Sequence, residues 1–246
     1  MNKRWLYYLF SLLLCLAFFS LGRWQLSRAE WKQQRLDKVA LILKEKKPEP
    51  LSQLSKENKT DLAWSAGRGH FLTTPALFHD NQRLGDKVGV NVYRIFQPDG
   101  GKALLVNLGW LPVPGNRRMP ELEKISGSYQ LSGLLAAPPS PGIALGPAYQ
   151  KTSGHYWLLT RMPLDELATD LKTPLATRVL RLNPDLPMGY ARDLDVLPNT
   201  LPPEKHKGYA VQWFGLCLAT IVITFVLGFR RKNTLTQKMT QENKND

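Results

Sequence analysis

The chain has 246 residues, 43% of them apolar and 22% charged, with a net charge of +13. These values exclude a disordered or collagen-like chain, and the length fits one or two domains. A mean hydropathy of −0.27 is that of a soluble protein, yet the apolar residues are concentrated near the two ends.

Trp5–Leu21, WLYYLFSLLLCLAFFSL, runs 17 residues without a charge, and Tyr209–Phe229, YAVQWFGLCLATIVITFVLGF, runs 21. A membrane-crossing helix needs about 20 apolar residues. The second segment meets this outright. The first meets it with Arg4 and Arg23 snorkelling and with Trp5, Tyr7 and Tyr8 at one interface and Trp24 at the other. Lys3 and Arg4 ahead of an apolar run also fit a signal peptide. Large Phe18, Phe19 and Leu21 around Ser20 and Gly22 argue against cleavage there, and Leu14 argues against a lipoprotein signal at Cys15. The segment is read as an uncleaved anchor.

Two spans place both tails on one side. Residues 1–4 carry +2 and residues 230–246 carry +3, which leaves +8 of the total between them. The short cluster Phe229-Arg230-Arg231-Lys232 is the best orienting signal and stays inside, although Arg23, Arg28, Lys32 and Arg35 lie near the first span on the other side. Both termini are expected in the cytoplasm, with the middle exported. The two cysteines, Cys15 and Cys217, fall within the spans at nearly equal depth, so the exported part has no disulfide framework and no thiolate metal site. They read as small packing residues, and they can be cross-linked only if the two helices are neighbours.

After the first span, residues 22–47 continue as an amphipathic juxtamembrane helix. Leu36, Val39, Ala40 and Leu43 form its stripe, Trp24 and Trp31 share a face, and it ends before Pro48 and Pro50. Residues 48–61 read as a polar linker. From 62 to 183 the pattern is of strands: 62–71, 75–84, 88–97 and 102–111, the last two joined by Pro98-Asp99-Gly100-Gly101 as a hairpin turn, then 127–138, 155–160 and 177–183. One short helix is expected over 163–171, with Pro163 at its first position. This makes an α+β, mainly antiparallel domain, barrel-like or open-sheet. Residues 184–208 read as a Pro-rich extended return, 209–229 as the second span and 230–246 as a basic tail.

Enzyme templates are missing: there is no nucleophile elbow, no zinc-protease motif and no phosphate-cradling loop. His70, His79, His155 and His206 have no metal-ligand spacing, and the carboxylates are scattered, so no catalysis is expected. The basic residues are spread over an exported loop, which fits anionic lipid, an acidic partner surface or simply a solvated basic face rather than nucleic acid. His206 stands apart. A neutral imidazole at an interface lined by Tyr209, Trp213 and Trp24 offers the axial ligand and apolar wall that a haem needs; the alternative is an interface histidine hydrogen-bonded to lipid head groups. Gln212 is an amide one turn inside an apolar span, a residue type that usually bonds to another helix, here the first span or a different protein.

Three motifs together resemble the Surfeit locus 1 family of cytochrome c oxidase assembly factors. GRWQLSRAEWK supplies Gly22, Trp24, Gln25, Arg28, Trp31 and Lys32 of the family's first junction. Val106, Asn107, Gly109, Trp110 and Pro112 match its V-N-R-G-W-[VI]-P strand, and His206, Tyr209, Ala210, Trp213 and Phe214 match the start of its second span. Leu108 stands where the family usually has Arg, and Lys207 where it usually has Leu. The resemblance implies an assembly factor that assists haem a insertion into subunit I of the oxidase; the lack of an Arg- and Ser-rich transit peptide before the first span points to a bacterial inner membrane with a periplasmic domain. The implied partners are subunit I, haem a synthase and membrane lipid, and the implied cofactor is transient haem a. In this reading His206, Arg28, Trp24, Tyr209 and Trp213 form the haem site, with His206 on the iron and Arg28 on a propionate. Gln25, Trp31 and Gln212 face the partner. The alternative is a cofactor-free scaffold gripping an oxidase intermediate.

Overall fold

The computed structural model describes residues 3–53, 62–140, 144, 146–152, 156–194 and 201–242. The chain divides into two units, residues 1–37 with 200–246, and residues 38–199.

The first unit holds most of helix α1 (Lys3–Glu45) and all of helix α3 (Pro203–Glu242). Stretches of both are long and apolar enough to cross a membrane. One shielded stripe on α1 runs Ser11, Cys15, Phe18, Gly22, Gln25, Ala29 and Lys32, and one on α3 runs Pro203, His206, Ala210, Trp213, Cys217, Thr220 and Thr224, with Leu14 and Phe214 shielded beside them. Each set steps alternately by three and four residues, the 3.5 repeat of two helices that keep one seam in contact. Small residues dominate the seam, as expected where lipid offers no hydrophobic drive and close backbone approach must supply the attraction. A Cβ on Gly22 would lie 2.6 Å from the ring of Phe214. Phe18 meets Trp213 at 5.8 Å between ring centroids. The helices run antiparallel, and Cys15 and Cys217 are neighbours, each thiol directed at the other's carbonyl, at 3.8 and 3.6 Å.

α1 ends where the backbone leaves the helical region. Lys46 takes a left-handed φ of 44° and its N–H bonds to Ile42 O at 2.8 Å, with Pro48 just beyond. In the second unit come β1 (Glu49–Pro50), a 3₁₀ turn (Leu51–Gln53), β2 (Ala63–Phe71), β3 (Ala76–Leu84), β4 (Lys87–Pro98), β5 (Ala103–Pro112), β6 (Ser128–Ala136), β7 (Tyr149–Lys151), β8 (Tyr156–Leu159), α2 (Leu164–Asp170) and β9 (Leu175–Leu182). Their order in the sheet is β1-β2-β6-β9-β5-β4-β3-β8-β7, and β2 also pairs with β4. That extra pairing, Gly69–Phe71 against Phe96–Pro98, closes β2, β6, β9, β5 and β4 into a ring. Leu104, Val106 and Leu108 of β5 enter one core with Phe96, Leu131 and Leu180. Ala103 and Leu105 enter a second core with Trp157, Met162 and Leu167 of α2. Burial on both faces explains why β5 reads as an almost unbroken apolar run. The last turns of α1 supply Val39, Ile42 and Leu43 to a third cluster, against Leu62 and Leu134.

Several expectations need correction. The sheet is mixed: β1–β2, β3–β8 and β5–β9 are parallel, beside six antiparallel pairings. Helix α2 and its flanking loops give the chain the crossover length that a parallel partner requires. The short edge strands β1 and β7 had no readable alternation. Leu51, placed in the polar linker, is fully buried. Pro163 is the N-cap of α2, one residue before its first turn. The extended return stops at Pro202, and α3 begins before the apolar run, so His206 is helical. Residues 54–61 of the linker, 195–200 of the return and His155 lie outside the described residues.

Candidate functional site

The early start of α3 puts His206 one turn before Ala210 on the seam, ahead of the apolar window Tyr209–Phe229. Opposite it on α1, Gln25 continues the same three-and-four spacing from Gly22. Gln25 Oε1 and His206 Nδ1 are 2.6 Å apart. An amide oxygen only accepts, so the ring proton sits on Nδ1 and the lone pair on Nε2. His206 is 7% exposed, and its buried Nε2 has no hydrogen-bond partner among the described residues. Burial, reinforced by the cations of Lys32 and Arg28, pushes the His206 pKa down, which keeps this tautomer neutral. The arrangement is that of an imidazole oriented through one nitrogen and open for ligation through the other.

Lys32 lies two turns further along α1. It is buried, and its ammonium donates to Leu201 O at 2.5 Å, tying the chain that enters α3 to the side of α1. Arg28 is exposed with its guanidinium 5.5 Å from the centre of the Trp31 ring, and Arg35 approaches the same ring at 5.8 Å. Trp24, Trp31 and Tyr209 are about half exposed.

The structure thus brings together Gln25 and His206, with Arg28 close enough to act on the ring electrostatically. Trp213 is drawn into the helix seam against Phe18, away from any open wall. Trp31 stacks with two arginines of its own helix. Gln212 is exposed and off the seam, so the first span is not its partner. Lys32 and Leu201 were missed as site residues. A lysine in a basic helix looks solvated, and only its place in the seven-residue repeat, three after Ala29, marks it as inward.

In the sheet unit, the Val106–Pro112 motif shapes backbone. Gly109 has φ +121°, and a Cβ there would lie 2.6 Å from Tyr190 O. Asn107 Oδ1 accepts the Gly109 N–H at 2.9 Å. Tyr190 N–H donates to Leu108 O and Trp110 N–H to Ala191 O, each at 2.7 Å. The glycine therefore permits a bulge that grips the returning chain, while Leu108 fills the core.

Residues 12–218 match the family model described as SURF1 family. The chain belongs to the SURF1 family. That match takes in both seam cysteines, the Gln25–His206 contact and the whole sheet. No match is found among curated proteins. The SURF1 family is associated with cytochrome oxidase assembly.

Proposed function

We propose that this SURF1-family chain is a non-catalytic, membrane-anchored assembly factor of haem-copper cytochrome c oxidase that hands haem a to subunit I. The observation that carries the reading is the buried Nε2 of His206, without a partner among the described residues, with Nδ1 held by Gln25. An sp² nitrogen lone pair inside a neutral, oriented ring is the donor that haem iron takes, so the residues present fit the group. His206 would supply the axial nitrogen. The half-exposed faces of Trp24 and Tyr209 would contact the macrocycle, and Arg28 would pair with a propionate. Trp213 supports the site from behind by holding the helices together. Haem is cargo here, and the chain's own task is to hold the imidazole neutral and oriented. A bacterial inner membrane with cytoplasmic termini and a periplasmic sheet unit is the setting we infer, supported by two helices long enough to span and by the basic cluster after the second.

One observation favours a second reading, a cofactor-free scaffold. Gln212 presents an amide with no partner among the described residues from the outer face of a span, which suits a helix of the oxidase or of haem a synthase; the half-exposed Trp31 would add a contact, while Gln25 is committed to His206. The test is a reduced absorption spectrum of the full chain, purified in detergent from cells that make haem a, beside His206→Ala. A haem band in the wild type that the variant lacks supports delivery. No band in either folded protein supports the scaffold.

A further inference from the structure

Apart from the helix pair, the sheet unit contains a polar cavity of about 180 Å³. Four strands build it: β3 supplies Arg83, β4 Asn91, β5 Asn107 and Trp110, and β9 with the chain after it Arg181 and Asp193. Both register shifts of β4, against β3 between His79 and Gln82 and against β5 between Val92 and Tyr93, occur beside it. Bulges of this kind re-aim side chains.

The lining is cationic. Arg83, Arg181 and Arg192 face one carboxylate, Asp193, so the cavity carries an excess of two positive charges. Arg192 is a brace: its guanidinium donates to Asn183 O, Tyr190 O and Leu186 O at 2.9, 2.9 and 2.7 Å. Arg83 is exposed and has no partner among the described residues. Arg181 donates to Asp193 O at 3.4 Å and approaches Asp193 Oδ1 at 3.6 Å, with that carboxylate 57% exposed. The amide of Asn107 is fixed by Gly109 N–H and Tyr93 OH. Trp110 is pinned by its indole N–H on Gln82 O at 3.0 Å, giving one rigid wall. Donors come from four strands, β3, β4, β5 and β9, and Asp193 is the one carboxylate of the lining.

We propose that this cavity is a binding site for a small dianionic oxyanion, phosphate or dicarboxylate, held by the guanidinium forks of Arg83 and Arg181 and by the amides of Asn91 and Asn107. Guanidinium groups match both anions in a two-bond fashion. The site is separate from His206 and stands whether or not haem is carried.

The test is calorimetric titration of the full chain in non-ionic detergent with inorganic phosphate and with succinate, at constant ionic strength. Saturable binding of at least one anion is expected, weakened about tenfold by Arg83→Gln and strengthened by Asp193→Asn, which removes the competing carboxylate. The Arg83 side chain is exposed near the end of β3, so its variant keeps the fold, which circular dichroism checks. Which anion binds more tightly names the ligand class. The proposal is overturned if neither anion binds saturably, or if Arg83→Gln binds within twofold of the wild type.

Discussion

Gln25→Ala isolates the one hydrogen bond that orients His206. In the wild type the Nδ1–H is buried and satisfied by Gln25 Oε1 at 2.6 Å. Alanine leaves that N–H without an acceptor in a residue only 7% exposed. A buried donor stranded in this way costs about 1–3 kcal/mol, which corresponds to a loss of about 5-fold to 150-fold in affinity for anything that needs the ring in place. Removal of an outer partner of a metal-bound histidine typically costs about 10–100-fold, within that range, so weakening of about 30-fold is expected. The assay is absorbance titration of haem into the full chain in detergent, for wild type, Gln25→Ala and Gln25→Glu. Glutamate retains an acceptor and strengthens it with charge, so it should bind at least as tightly as glutamine. If alanine binds within twofold of the wild type while His206→Ala abolishes the band, Gln25 does not set the ring and the reasoning fails.

The seam predicts that mild oxidation in membranes links Cys15 to Cys217 within one chain, shown by proteolytic fragments that stay joined until reduced; failure to form that link would contradict the antiparallel pairing. Gly22→Leu drives a side chain into Phe214 and should reduce the cross-link severalfold at equal expression. Gly109→Ala combines a left-handed φ of +121° with a backbone clash at 2.6 Å. It should destabilise the sheet unit by about 2–4 kcal/mol, read as an earlier denaturant midpoint in tryptophan fluorescence. His79 is 6% exposed with Nδ1 unpaired among the described residues, and burial lowers its pKa below the ordinary 6.5 even though Thr160 and Asp80 oppose the shift. The unfolded chain therefore binds this proton more readily. The contribution is fully present above pH 6.5 and is lost as pH falls through the depressed folded value. Thermal stability between pH 7 and pH 5 should fall more steeply in the wild type than in His79→Asn, and equal slopes would assign the effect elsewhere.

Much of the architecture was legible because it rests on period and composition. Charge-free runs fixed the spans, alternation fixed β2 to β6, and Pro98-Asp99-Gly100-Gly101 fixed the β4–β5 turn. What escaped depends on partners. β9 is parallel to β5 because of where α2 returns the chain, and no local pattern carries that information. β1 and β7 are too short to alternate, and Leu51 became core only because the β2–β4 pairing closed the sheet around it. At the site, residue types and motif order pointed to His206 and to Gln25. That the two share one hydrogen bond, that Trp213 turns into the seam and Gln212 away from it, follows from a helix that starts at Pro203 and a common seven-residue register. The sequence by itself thus determined which residues are apolar, cationic or able to ligate. Tertiary structure alone decided which of them meet, because contact between residues 181 apart is set by the packing of whole helices.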